Sequence, residues 1–338
     1  MKKFLASIIA VVLAVSGLSV ISITANAATI FISGNYEYTV NSDDTVNIAG
    51  YKGIATDITI PSQILNKNVV KISANSFYNN STLTSVKIPN TIKVVGSMAF
   101  HNCTKLSKVT LSSNLTKIGY NAFEGTTALT TITIPKTVTT AGNNVFNGSA
   151  LKTATIENGA TAVADNLFSN AKNLTKVTIP NTVKKIGSMS FYDCTKLSSV
   201  TLPNTLTSIE TSAFKNCQAM KSITIPKSVT YFGTTAVGYS DGRVIDGFII
   251  YGYKNTKAQT YATKNKITFK ALQEETVPVG DINNDGKIDV SDVTYLQMYL
   301  SGNSSYVIKN TKAADANGDG KIDVADVTQI QNIIASAA

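Results

Sequence analysis

The stretch LTKVTIPNTVKKIGSMSF, Leu174 to Phe191, is one unit of a repeat. Val177 and Ile179 alternate with Lys176 and Thr178, the period-two pattern of a strand with one buried face. Pro180 ends that strand and begins a turn. Val183 and Ile186 add a second apolar pair before Phe191. Leu174, Val177, Ile179, Val183, Ile186 and Phe191 together suffice for one layer of a stacked core. The same frame extends in both directions: Phe77, Phe100, Phe123, Phe146, Phe168, Phe191 and Phe214 recur every 23 residues, with one step of 22 between Phe146 and Phe168. In most units Leu or Met follows the Phe by six residues and opens a short strand ending in Pro, as in LTSVKIP, LTTITIP, LSSVTLP and MKSITIP. The short step falls in the connection Asn147 to Ala150, so strand register is expected to survive it. A fixed period in this range predicts a solenoid, whose terminal units need caps because an unpaired end would expose core.

Alternation turns Lys87, Thr110, Thr133, Thr155, Thr178, Thr201 and Thr224 outward, beside Ser85, Lys108, Thr131, Thr153, Lys176, Ser199 and Ser222. The expected strand face is therefore Thr, Ser and Lys. The chain has no Trp, and Tyr78, Tyr120 and Tyr192 could serve as sugar platforms only if they face out. Partial burial beside Phe77 and Phe191 is the expectation for Tyr78 and Tyr192. Cys103, Cys194 and Cys217 each stand three residues after a repeat Phe. Their odd number gives no disulfide framework, and they read as small buried turn residues; a Cys194–Cys217 bridge between adjacent units stays open.

Nothing in the repeats composes a catalytic constellation. The single histidine, His101, stands where other units have Tyr192 or Lys215, and reads as a variable surface residue. A glycosidase needs two carboxylates across a cleft. Glu124, Glu157, Asp165, Asp193 and Glu210 occupy different repeat positions.

The C-terminal segment carries a second duplication: DINNDGKIDVSD, Asp281 to Asp292, and DANGDGKIDVAD, Asp315 to Asp326. Oxygen-bearing side chains stand at positions 1, 3, 5, 9 and 12 of each, with Gly286 or Gly320 at position 6, the spacing of an EF-hand calcium loop. Ca²⁺ is a hard cation that takes six to eight oxygens, and alternate residues of a tightly turned loop can aim theirs at one centre. The candidate ligands are Asp281, Asn283, Asp285, the Lys287 carbonyl, Asp289 through water and Asp292; the second set is Asp315, Asn317, Asp319, Lys321, Asp323 and Asp326. Both loops close with Asp where Glu is usual, and no helix is evident before either, which argues against an ordinary helix-loop-helix hand. Val293, Leu296 and Leu300 after the first loop, and Val327, Ile330 and Ile334 after the second, have helical spacing.

At the other end Lys2 and Lys3 precede an apolar run from Phe4 to Val20, and Ala25-Asn26-Ala27 offers a cleavage site. This is the pattern of a secretory signal peptide, with a mature chain from Ala28 and no further membrane span; an uncleaved anchor is the alternative. Residues after Gly280 include eight Asp and four Lys, a net of −4; with +9 overall, the remainder carries +13. The repeat region is thus basic and favours acidic partners such as uronic-acid polysaccharides or anionic surfaces. Lysines that merely solvate the outer faces are the plainer alternative. Nucleic acid is disfavoured in a secreted chain with one arginine, Arg243.

The loop-then-helix duplication from Gly280 to Ala338, with its connecting segment Tyr306 to Ala314, resembles the type I dockerin family. That resemblance implies a module that needs two Ca²⁺ and binds a cohesin domain on a scaffolding protein, as in a cellulosome. It also implies partner contacts at Val290, Ser291, Gln297 and Met298, and at Val324, Ala325, Gln331 and Asn332. Buried loop valines are the alternative for Val290 and Val324. The repeats from Asn35 to Leu272 resemble the BspA-like bacterial leucine-rich repeat family, which implies an extracellular α/β leucine-rich-repeat solenoid with roles in adhesion. The resulting expectation is a signal peptide (1–27), a capped repeat domain (28–272), a linker (273–279) and a small all-α dockerin (280–338). It makes the chain a secreted noncatalytic binding subunit for polysaccharide, a cell surface or a protein; a polysaccharide hydrolase subunit or a structural spacer are the alternatives.

Overall fold

The structure, a computed structural model, describes residues 20–21, 29–273, 278–308 and 310–337. The expected leader lies outside them apart from Val20–Ile21, which pairs antiparallel with Ile30–Ser33; most of the expected linker, 274–277, also lies outside. The chain forms two compact units, Met1–Leu272 and Gln273–Ala338.

Most turns of the first unit are built from two short strands. The segments ending in Pro give Ser85–Lys87, Thr131–Ile134, Lys176–Thr178 and Ser222–Thr224, and the equivalent segments with Ser112 or Glu157 in place of Pro give Lys108–Thr110 and Thr153–Ile156. Val86, Ile132, Ala154, Val177 and Ile223 are buried at their centres, as the alternation demands. The carbonyl of each Pro accepts the N–H three residues on, Pro180 from Val183 at 3.1 Å and Pro203 from Leu206 at 3.0 Å, which turns the chain toward the second strand. That strand recurs as Val94–Val95, Lys117–Ile118, Thr140–Ala141, Ala162–Val163, Lys185–Ile186, Ser208–Ile209 and Tyr231–Phe232. Neighbours run parallel: Lys185 pairs with Ser208, and across the short step Thr131 still pairs with Thr153. The register survives the missing residue. One strand expected from the sequence is absent, for Leu197–Leu202 in LSSVTLP forms no regular element. Ser198 and Ser199 stand together there without the branching that favours a pleated surface.

The seven repeat phenylalanines form one buried column, with ring centroids 4.8 Å apart between Phe77 and Phe100. The widest interval, 5.9 Å, lies between Phe146 and Phe168, where the chain is one residue shorter. Each Phe sits between two left-handed residues, such as Asn75 and Asn79 around Phe77, or Asn166 and Asn170 around Phe168. Asn and Gly tolerate that conformation, which explains their recurrence there. At Gly119 and Gly142 the constraint is contact instead: a Cβ would collide with the backbone of Ser97 and Tyr120 in the preceding turn.

Cys103, Cys194 and Cys217 are buried and free, so no Cys194–Cys217 bridge forms. The column is closed at one end by Tyr51, stacked on Phe77 at 5.3 Å. At the other end Val237 stands one period after Phe214, and the Tyr261 hydroxyl bonds its N–H and its carbonyl at 3.3 and 3.2 Å. Tyr261 belongs to helix α1, Lys257–Lys264.

The second unit comprises helices α2 (Val290–Leu300), α3 (Thr311–Ala314) and α4 (Val324–Ala337). Ile282, Val293, Leu296, Ala314, Ala316, Val327 and Ile330 are its buried core, with Leu300 and Ile334 packed against them. Both helical faces expected from spacing therefore meet. The short α3, capped by the Asn310 side chain, precedes the second loop, where the sequence suggested no helix.

Candidate functional site

In the first calcium-type loop the backbone wraps around its own carboxylates. Asp281 is buried, and its Oδ1 and Oδ2 accept the N–H groups of Asp285 and Gly286 at 3.1 and 3.0 Å. Gly286 has φ +85°, where a side chain would be strained. Asn283 Oδ1 accepts the Asp285 N–H at 2.9 Å, and Asp285 Oδ1 accepts the Lys287 N–H at 2.9 Å. The fully buried Asp292 reaches back from the first turn of α2, its Oδ1 accepting from Ile282 and its Oδ2 from Asp289. Asp289 caps the same helix through Ser291 N–H at 2.8 Å. Hydrogen bonds from the Ser291 hydroxyl and backbone lower the Asp289 carboxyl below its ordinary range. The closing Asp, short for this role, is thus tied to the loop at both oxygens.

The second loop repeats the arrangement. Asp315 Oδ2 accepts from Gly320 at 2.9 Å, Asn317 Oδ1 from Asp319 at 2.9 Å, and Asp319 Oδ1 from Lys321 at 2.8 Å. The buried Asp326 accepts from Asn317 and Asp323, and Asp323 accepts from Ala325.

These residues fit a hard cation. Asp292 and Asp326 are fully buried, and no ion pair among the described residues engages them or their loop partners. A buried carboxylate without a counter-charge is costly. Asp315 Oδ1, moreover, is buried with no hydrogen-bond partner. Among the described residues no three Asp, Glu, His or Cys side chains form a metal cage by themselves. Such a loop does not need one, because it draws on an amide oxygen, a backbone carbonyl and water besides its carboxylates.

The residues expected to meet a partner lie on the outside. Val290 and Val324 are 72% and 73% exposed, which removes the alternative of buried loop valines. Ser291, Gln297, Ala325, Gln331 and Asn332 are exposed, and Met298 is half-buried. Among these contacts the copies differ at two places, Ser291 against Ala325 and Met298 against Asn332; Ser291 Oγ accepts the Asn283 amide at 2.9 Å, a bond that Ala325 cannot make.

On the solenoid, Lys87, Lys108, Thr110, Thr131, Thr133, Lys176, Thr178, Ser199, Thr201 and Thr224 are exposed, while Ser85, Thr153, Thr155 and Ser222 are half-buried. Tyr78 and Tyr120 are exposed and Tyr192 is half-buried. Tyr78 thus departs from the expected burial because its ring lies on His101, centroids 5.0 Å apart, and not against Phe77. His101 likewise is no free surface residue: its Nδ1 is buried 3.2 Å from Glu124 Oε2, off the line a hydrogen bond needs. Glu124 Oε1 accepts the Asn147 amide at 2.7 Å, extending the ladder to the next turn. Other acids also join turns. Glu157 accepts from Lys136 N–H, Asp165 from Ser188 N–H, and Asp193 from the Asn216 amide.

A family model described as BspA type leucine rich repeat region matches residues 54–175 and 161–241, in six copies. A second, described as dockerin type I domain, matches residues 279–335. No curated protein matches the chain. A solved leucine-rich repeat protein from Bacteroides ovatus aligns with a TM-score of 0.52 at 25% identity, over 71% of this chain and 67% of its own. The T. pallidum leucine rich repeat protein aligns at 0.48 and 25% identity, over 71% and 97%. A leucine rich cell surface protein from Faecalibacterium prausnitzii aligns at 0.45 and 24%, over 74% and 97%.

Proposed function

Because the chain belongs to the BspA-type leucine-rich repeat family and ends in a type I dockerin domain, we propose that it is a secreted, noncatalytic adhesion subunit of a polysaccharide-degrading complex. Dockerins of this type bind calcium and direct docking onto a cohesin domain in a cellulosome-type complex. On this reading residues 1–27 are a leader, 28–272 the adhesive solenoid, 273–279 a linker and 280–338 the docking module.

Two Ca²⁺ would be held, one by Asp281, Asn283, Asp285, the Lys287 carbonyl, Asp292 and, through water, Asp289. The other would be held by Asp315, Asn317, Asp319, the Lys321 carbonyl, Asp326 and, through water, Asp323. The ion neutralises carboxylates that the fold buries, so it acts as a structural cross-link for each loop and the helix that follows it. The observation that carries the docking reading is the pair of exposed valines, Val290 and Val324, at equivalent positions of the two loops. Large exposed aliphatic groups beside polar neighbours suit a protein interface. Their equivalence supports two alternative docking orientations.

For the solenoid, the net charge of +13 on residues 1–280 supports an anionic target, and the use of Glu157, Asp165 and Asp193 as ties between turns supports a noncatalytic role. The test is to pass the calcium-loaded full chain over an immobilised cohesin, and separately over neutral and acidic polysaccharides. Retention by cohesin that chelator abolishes, with salt-sensitive retention on acidic polysaccharide and no released sugar, is the expected result. Sugar release would overturn the noncatalytic reading.

A further inference from the structure

At the C-terminal end of the solenoid a pocket of about 390 Å³ opens between α1 and the strand Tyr231–Phe232. We propose that it is a binding site for a carboxylate-bearing saccharide, a uronic-acid unit of a polysaccharide, with Lys257 and Lys264 holding the charge and Tyr231 the sugar ring. The proposal rests on the adhesive reading of the solenoid and gives it a place.

The helix presents Lys257, Thr260, Tyr261 and Lys264 to the pocket, positions i, i+3, i+4 and i+7 of a single face. Seven residues of helix set the two lysines about 10 Å apart along the axis. Both are exposed, and neither makes an ion pair among the described residues. No carboxylate lines the pocket. Two like charges on one helix face repel mildly, so the arrangement favours an anion between them.

The floor is aromatic and fixed. The Tyr261 ring stacks on Phe232 at 4.6 Å, and its hydroxyl is spent on Val237. The Tyr239 hydroxyl donates to Asn265 Oδ1 at 2.8 Å, and the Asn265 amide donates to the Tyr261 carbonyl at 2.8 Å. These bonds hold the walls without a ligand, so little ordering is required on binding. Tyr231 is different: it is 52% exposed. An aromatic face left open beside two ammonium groups suits a pyranose, whose C–H face lies on the ring while its carboxylate turns to the lysines. Tyr231 also continues the outward column Lys185, Ser208, Tyr231 in strand register, so a polymer lying in the pocket would have a polar track along the preceding turns.

The test uses the calcium-loaded full chain, titrated calorimetrically with trigalacturonic acid, with the matching neutral galactose trimer and with inorganic sulfate. Retention on polygalacturonate is measured alongside. Wild type is expected to bind the uronide at least tenfold more tightly than the neutral trimer, with affinity falling as salt rises. K257Q/K264Q should remove that tenfold preference, Y231A should weaken both trimers, and K93Q/K117Q, on distant turns, should change neither. Unchanged uronide affinity in K257Q/K264Q and Y231A overturns the site. If polygalacturonate is then still retained by wild type and variants alike, the adhesive reading stands without this pocket; if wild type is retained on no polysaccharide, both fall. Sulfate competing at the same concentration as the uronide would overturn the saccharide assignment.

Discussion

Cys103 Sγ donates a hydrogen bond to the carbonyl of Phe77, 3.1 Å away and one turn earlier in the solenoid. Cys194 makes the same bond to Phe168 and Cys217 to Phe191, each at 3.2 Å. The thiols therefore add a second, weak donor to carbonyls that already accept the backbone N–H three residues on, from Asn80, Ala171 and Cys194 respectively, and so tie each turn to the one before it. Thr126 and Ser149 occupy the same repeat position but turn their hydroxyls to the Phe of their own unit.

Burial pushes the Cys103 thiol up to about 12, and drives Cys194 and Cys217 upward as well. A group whose folded value lies above its unfolded one, roughly 8.5 for a thiol, contributes stability that is complete below the unfolded value and is lost as pH rises through the folded one. Thermal stability of the solenoid should therefore fall between about pH 8.5 and 12. Tyr36 and Tyr261, raised to about 12 by burial, add to the same decline above pH 10. The native protein at pH 8 should resist iodoacetamide, and denatured protein should take up three equivalents. Rapid alkylation of native protein would contradict the burial. Cys103→Ser keeps a donor of similar size and should cost no more than about 1 kcal/mol.

Truncating the column should be far more costly. Phe146 is fully buried between Phe123 and Phe168, so Phe146→Ala should destabilise the solenoid by about 3–5 kcal/mol in urea unfolding. Tyr120→Ala, at a 59% exposed ring, should stay within about 0.5 kcal/mol. Equal effects would deny the Phe column its structural role.

Chelation separates the two units. Removing calcium should unfold residues 280–337, which would otherwise bury Asp292 and Asp326 without a counter-charge, while the solenoid keeps its own transition. Differential scanning calorimetry with and without chelator reads both. Asp315→Ala, which deletes the stranded Oδ1, should weaken the second ion by at least tenfold and leave the first nearly unchanged. A single transition lost as a whole on chelation would show that the solenoid depends on the metal.

Much of this was legible in the chain itself. The Phe period, the strand alternation and the survival of register across the 22-residue step follow from side-chain spacing, because stacked turns must repeat their inward set. The calcium loops were legible because oxygen donors, unlike hydrophobic ones, are fixed at single positions. What stayed hidden depends on neighbours one turn away. His101 meets Glu124 and Tyr78 only through stacking, and the sequence distance of 23 residues conceals it. The Leu197–Leu202 segment carries the strand pattern yet forms no strand. The pocket under α1 is likewise assembled from the cap, where no repeat guides the eye; the i, i+7 spacing of Lys257 and Lys264 was the available signal.

The two docking faces offer a decisive comparison. Val290 with Ser291 and Val324 with Ala325 present similar exposed surfaces, so V290D/S291D alone, or V324D/A325D alone, should reduce cohesin affinity less than tenfold. On the two-orientation reading all four substitutions together should abolish binding, since only then is no intact face left. The faces are not identical, since Ser291 Oγ is held by the Asn283 amide and Ala325 has no such tie. A modest preference for the first face is therefore expected, its side chains being better fixed before contact. Calorimetry on the calcium-loaded full chain and its three variants decides the matter: loss of binding in one double variant alone would assign docking to a single face, and the matched valines would then be a remnant of duplication.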